Sequence, residues 1–252
     1  MSKLPTLTNL SYLLPSFVAI KNIYQAESNE ARCENTELAF MFLVTAFVGS
    51  WSYHQCQEQF VCSHNKLPTE HQNFDCTGTV ANKLYQLLGS KRDVTYRTIH
   101  DLDHFLATMT TILVILNVTP LKHEVKKLFL VILLVCVLLF VLSGSEHMNV
   151  IPLLLIIPFV VVFWCYSPPD TREHSVLPNR KTLWGAGSVL MVIATISLHI
   201  ADEDSYNATH SGWHILSAIS ATCLMLGSSS DNTLCDAPPF LQKFFRCHKK
   251  CV

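Results

Sequence analysis

His210 and His214 stand four residues apart in the run Thr209-His-Ser-Gly-Trp-His214. On a helix such a pair leaves one face about one turn apart, so both imidazoles can reach a single metal ion. Alone the spacing is a weak sign, because such pairs more often hydrogen-bond at an interface than hold metal. Three further runs carry polar or ionisable groups that are costly in an apolar setting and therefore need a reason to be there. They are Ser50-Trp-Ser-Tyr-His54, with Ser50 and His54 on one helix face, His100-Asp-Leu-Asp-His104, and Asp202-Glu-Asp204. Three histidines (His54, His210 and His214) with a fourth position open to water form the donor set of a hydrolytic zinc site, whose bound water ionises near pH ~7. If the site hydrolyses, Asp103 would orient or deprotonate that water, and Ser50 would hydrogen-bond a developing oxyanion or a lipid headgroup.

For these groups to meet, the segments that carry them must run in opposed directions through a common layer, and the composition says which layer. Of the 252 residues 50% are hydrophobic and 15% charged, well below the roughly one quarter charged in soluble domains. The apolar residues come in blocks with no polar face. Leu128 to Leu142 and Val150 to Tyr166 hold no charged or hydrogen-bonding side chain apart from the rings of Tyr166 and Trp164, as in helices buried in lipid. Seven blocks approach the ~20 residues that cross a bilayer: 4–19, 37–54, 99–118, 125–142, 149–166, 182–200 and 209–226. The first, interrupted by Pro5 and Pro15, has the modest length of a signal peptide, yet no clean small-x-small cleavage site follows Ile20.

Seven crossings put the two ends on opposite sides. The side holding the C-terminal tail carries twelve Lys and Arg and the other side six, nearly all in the long loop 55–98, while the short loops of that second side carry none. The positive-inside rule then sets the N-terminus outside and the C-terminus in the cytosol. In that orientation His54 ends an outward span, while Asp103, His210 and His214 begin inward ones, so all four reach one depth near the outer face. The expected fold is an all-α membrane bundle of seven helices over residues 1–230, with an irregular outer cap at about 55–98 and a basic cytosolic tail at 231–252.

Cys56, Cys62 and Cys76 of the cap would face an oxidising compartment, where one disulfide among them leaves one thiol over. Asn207 opens an Asn-Ala-Thr sequon too near the membrane edge for glycosylation to be expected. In the tail Phe240, Phe244 and Phe245 alternate with Lys243, Arg246, Lys249 and Lys250, a pattern that lies on an anionic leaflet at about 1 kcal/mol per basic residue. Cys247 and Cys251 would then sit at the bilayer surface, where cysteines are S-palmitoylated. The ten cysteines form no CxxC pair, and the chain has no Gly-rich phosphate loop, no GxSxG and no basic stretch suited to nucleic acid.

Ser-x3-His on the second block, an aspartate opening the third and His-x3-His on the seventh resemble the CREST superfamily, seven-helix membrane proteins that include alkaline ceramidases and the adiponectin and progestin receptors. The runs Leu4-Pro-Thr-Leu7, Ser52-Tyr-His-Gln-Cys56, Thr209-His-Ser-Gly-Trp-His214 and Arg246-Cys-His-Lys-Lys-Cys-Val252 are similar to the transmembrane protein 8 family within it. That resemblance implies an alkaline-ceramidase-like bundle and a multi-pass protein of the plasma membrane, with a Golgi pool. It also implies action in myoblast fusion during muscle formation, through remodelling of membrane lipids. The partners it implies are membrane lipids, a fusogenic microprotein and a second copy in a homodimer; nucleic acid is not among them. Two alternatives follow from the same relatives: a zinc-dependent lipid amide hydrolase and a receptor of the adiponectin branch. No fusion peptide or heptad stem is visible. The expectation for the zinc is a structural role, pinning three helices. The chain departs from the family at Gln57, where Tyr-His-Ala-Cys-Asp is usual and Tyr53-His-Gln-Cys-Gln57 stands. Of Asp101 and Asp103, the spacing of Asp103 to Phe105 and Met109 better suits the family pattern.

Overall fold

The computed structural model of the chain describes residues 7–26, 28–64, 68, 72–119, 121–143, 181–199 and 206–228. Among these the fold is all-helical, with one isolated bridge between Asp75 and Thr95 and no strand. A 3-10 turn, Asn9–Tyr12, leads into α1, Leu13–Gln25; α2 is Asn29–Val44, α3 Trp51–His64, α4 Val80–Leu87, α5 Tyr96–Val118, α6 His123–Ser143, α7 Lys181–His199 and α8 Tyr206–Ser228. Their starts are written into the sequence. Ser28, Thr79 and Thr95 each accept a hydrogen bond from a first-turn amide, those of Ala31, Asn82 and Thr98, and so cap α2, α4 and α5.

Between α2 and α3 the helix does not stop. Residues Thr45–Ser50 form a π-helical turn, in which hydrogen bonds reach one residue further than in an α-helix. The hydroxyl of Thr45 fastens this turn to α5, donating to Leu106 O at 3.3 Å and lying 2.7 Å from Thr110 Oγ1. Gly49 lets α5 come close, since a β-carbon there would lie 3.0 Å from Leu106 Cδ1 and 3.3 Å from Asp103 Oδ1.

The α2–α3 unit outruns the expected block 37–54 at both ends, and the cap begins only after His64. No glycine or proline interrupts 55–64, and Cys56 and Phe60 bury against the cap. The cap is not wholly irregular either, because it contains α4. Cys56 is disulfide-bonded to Cys76, leaving Cys62 as the remaining thiol of the three.

α7 and α8 form the most extensive helix pair. They cross closely because Gly187 and Gly227 carry no side chain: a β-carbon would lie 2.8 Å from Leu224 Cγ at the first and 2.7 Å from Trp184 N at the second. α5 and α6 are antiparallel, joined along Met109, Ile112, Leu116, Phe129, Leu133 and Val137. α6 and α7 both start at one end of the bundle and run the same way, since Lys126 donates to Asn117 O, Ser228 Oγ donates to Val118 O and Trp184 packs against Gly227.

The apolar core also encloses many polar side chains, while large apolar ones lie outside. Thr45, Ser50, Asp103, Thr108, Thr110 and Ser220 are inside, while Leu128, Val131, Val135 and Leu139 of α6 and Val189, Val192 and Ile196 of α7 are exposed. Apolar surface on this scale marks contact with a membrane or a partner rather than with water. By length and composition, one helix among the described residues, Tyr96–Val118, suffices to cross a membrane, and Thr182–Ser197 is a shorter apolar helix. The buried polar residues of α2, α3 and α8 lower their apolar content. The expected span 149–166, the acidic run 202–204 and the tail with Cys247 and Cys251 lie outside the described residues.

Candidate metal centre

Three elements bring the site together. The π turn and the first turn of α3 carry Ser50 and His54, α8 carries His210 and His214 on one face, and the 3-10 turn before α1 supplies Asn9, Ser11 and Tyr12. His54, His210 and His214 are 1%, 4% and 0% exposed, and one donor atom from each lies within 4.8 Å of the others. The Nε2 atoms of His210 and His214 both stand 3.1 Å from Nε2 of His54. Tetrahedral zinc at ~2.0–2.1 Å from nitrogen spaces its ligands about 3.3 Å apart, so the imidazoles stand at nearly the required separation.

The protonation of His54 follows from its neighbours. Nδ1 of His54 lies 2.9 Å from Gln57 Oε1. The Gln57 amide is oriented by its other end, which donates to Tyr53 Oη at 2.9 Å and Tyr96 Oη at 3.3 Å. A carbonyl oxygen only accepts, so His54 carries its proton on Nδ1 and presents a bare lone pair at Nε2. That lone pair faces two further ring nitrogens. One cation between them would satisfy all three, and the Nδ1–H to carbonyl bond is the support that metal-ligating histidines ordinarily have. The residues present therefore fit a divalent metal. Gln57, where the usual acid is missing, still provides an acceptor at the right atom.

His214 is held from the other side. Its Nδ1 is 3.2 Å from Tyr12 Oη, which lies 3.2 Å from Ser217 Oγ, and Ser11 Oγ donates to His214 O at 3.1 Å. Ser50 Oγ donates to Asn9 Oδ1 at 2.9 Å and lies 3.4 Å from His214 Nε2. Asp103 is buried beside Gly49 and within reach of Ser50. Its carboxylate stands outside the three-histidine group, and its Oδ1 meets no hydrogen-bond donor among the described residues. Asp101 lies at the edge instead, 3.3 Å from His100 Nδ1. His104 stacks near His100, with ring centroids 4.1 Å apart.

Below the histidines a narrow cleft runs into the bundle, lined by Tyr12, Phe42, Asp103, His104, Met191 and Trp213 among others. The five candidate site residues Ser50, His54, Asp103, His210 and His214 thus lie around one buried place. Sequence reasoning missed Asn9 and Tyr12, which no local pattern marks, and the role of Gln57, whose position three residues after His54 was the available signal.

Residues 85–215, more than half of the chain, match a family described as a protein of unknown function (DUF3522). The match includes Asp103, His210 and His214 and stops short of Ser50 and His54. No curated protein matches the sequence.

Proposed function

The chain belongs to the DUF3522 family, and from that premise and the chemistry of the site we propose that it is a seven-span membrane protein holding one zinc ion near its outer face. Its work, on this reading, is cell–cell fusion by remodelling of plasma-membrane lipids, as its resemblance to myomaker of the transmembrane protein 8 family implies. The observation that carries the metal is the convergence of three buried Nε2 atoms on a lone pair fixed by Gln57. Imidazole donors at tetrahedral spacing favour zinc over the harder cations. The membrane reading is supported by the apolar, exposed outer faces of α6 and α7. An odd number of crossings is supported by the shared direction of α6 and α7.

Zinc here is chiefly structural. It ties α3 to α8 at a place where no ion pair does so among the described residues. Metal analysis of protein purified without added chelator tests the site, with one zinc per chain expected. Expression in non-fusing fibroblasts mixed with differentiating myoblasts tests the function: multinucleate cells are expected, and none would form if the fusion reading is wrong.

A second reading, zinc-dependent hydrolysis of a lipid amide, is favoured by the cleft and by the uncommitted oxygen of Asp103 that borders it. Zinc bound to the three histidines would supply an ionisable water and polarise an acyl carbonyl. In that chemistry Asp103 would hold or take a proton at Oδ1, Ser50 would donate to the acyl oxygen, and the apolar walls would seat an acyl chain and exclude water. Fatty acid released from ceramides by the purified protein, and lost with His214→Ala, would establish this reading over the structural one.

A further inference from the structure

The cap carries a helix whose exposed face the site does not explain. α4 is held tightly on its inner side. Ala81 and Asn82 are buried, Ala81 N donates to Ser52 Oγ at 2.9 Å, and Asn82 bridges to Asp93 and Val94 through its side chain at 2.8 Å each. Thr79 Oγ1 donates to Cys76 O, next to the disulfide to Cys56. The outer side is apolar. Val80, Leu84, Leu87 and Leu88 fall at i, i+4, i+7 and i+8, one helical face, and the last two are 83% and 80% exposed. Ordering such a helix with leucines facing water forgoes the gain of burying them.

The charges around this face have one sign. From Val80 to Val94 the charged residues are Lys83, Lys91, Arg92 and Asp93. The aspartate is already taken by Asn82 and Gln86, while the three cations are exposed. An apolar face with a basic rim is the pattern of helices lying in a membrane interface, with leucines at the acyl boundary and cations on lipid phosphates.

The height of α4 decides which membrane this is. Ala81 is bonded to Ser52, which lies between Ser50 and His54, so α4 starts level with the histidine end of the bundle. It does not stand off on a stalk where it would meet a second bilayer.

We propose that α4 is an interfacial anchor: Leu84, Leu87 and Leu88 enter the outer leaflet of the bilayer around this same bundle, and Lys83, Lys91 and Arg92 bind its phosphate headgroups. The proposal rests on the membrane reading above. The cap, tied to α3 by the Cys56–Cys76 disulfide and continuous with α5, would then fix the outer ends of both helices to the lipid.

The test uses the full chain in phosphatidylcholine–phosphatidylglycerol proteoliposomes, with the photoreactive residue p-benzoylphenylalanine replacing Leu88. Thr77, exposed elsewhere in the cap, serves as the negative position, and Val131 on α6 reports membrane embedding. Labelled lipid is placed either in the proteoliposomes or in separate acceptor vesicles. A lipid adduct at position 88 from the protein's own membrane, several-fold above position 77, is expected. It should fall several-fold when Lys83, Lys91 and Arg92 are changed to Glu. An adduct at Val131 with none at Leu88 overturns the anchor alone. No adduct at either overturns the membrane reading and the anchor with it. Adducts from acceptor vesicles, or crosslinks to a second copy, overturn the assignment to the surrounding bilayer.

Discussion

The two ends of the bundle are fastened by different chemistry. Twenty residues from His54, about 30 Å along the helix, Glu34 of α2 takes His123 Nδ1 at 2.8 Å and Lys126 Nζ at 3.0 Å, both from the start of α6. Lys126 also donates to Asn117 O near the end of α5. Here an anion meets its counter-charge, and the cluster is complete from the chain's own atoms. At the other end three imidazoles meet with no carboxylate in their group, and the tautomer of His54 leaves a lone pair facing nitrogen. The first junction closes itself; the second is finished only by an ion from outside. Both join helices far apart in sequence, so the contrast lies in what each needs, and removing metal should loosen one end and leave the other intact.

The sharpest way to break that contrast is His214→Ala. It removes one of three ligands and should reduce bound zinc at least tenfold, lowering the thermal midpoint by about 10 °C if ~3 kcal/mol is lost. Elemental analysis and a melting curve with and without added zinc check it; unchanged zinc content would mean that the histidines do not hold the metal. Gln57→Leu comes next. It leaves every ligand in place but deprives His54 Nδ1 of its acceptor, and should weaken zinc binding about 10–100-fold. Gln57→Glu should retain affinity, and competition with a chromogenic chelator ranks the three proteins.

Glu34→Gln probes the opposite end. It should cost about 1–3 kcal/mol with zinc stoichiometry unaltered, and a parallel loss of metal would show the two ends to be coupled. The smallest effect is expected of Tyr12→Phe. It removes the hydroxyl 3.2 Å from His214 Nδ1 and should cost about 0.5–1.5 kcal/mol, read as a shift of the melting curve.

The convergence of His54, His210 and His214 was legible in the sequence because it follows from helix direction alone. Successive crossings are expected to alternate in sense, which puts residues at the end of one and the start of another at a shared level whatever the rotation of each helix. Side-chain partners depend on that rotation and were not legible. Tyr12 touches His214 across more than 200 residues, and nothing near Tyr12 marks it. The choice between Asp101 and Asp103 needed the same information: in the structure Asp103 faces Gly49 and Asp101 faces His100. The end of the second block was misjudged because polarity was taken as the end of the helix. Gln55 to His64 is polar enough to read as loop, yet its Cys56 and Phe60 have a cap to bury against. The close crossing of α7 and α8 was in principle visible in Gly187 and Gly227, but isolated glycines in an apolar run do not say which neighbour approaches.

The wide turn at Thr45–Ser50 leaves the placement of His54 hostage to its pitch. Each residue in an α-helix advances the azimuth by about 100°. Tightening the same six residues to regular pitch, with none removed, would swing everything beyond them by roughly that angle. His54 would then point away from His210 and His214, with every donor still spelled out in the sequence and none of them gathered. In this chain the spelling of the α2–α3 unit matters less than the pitch of that one turn.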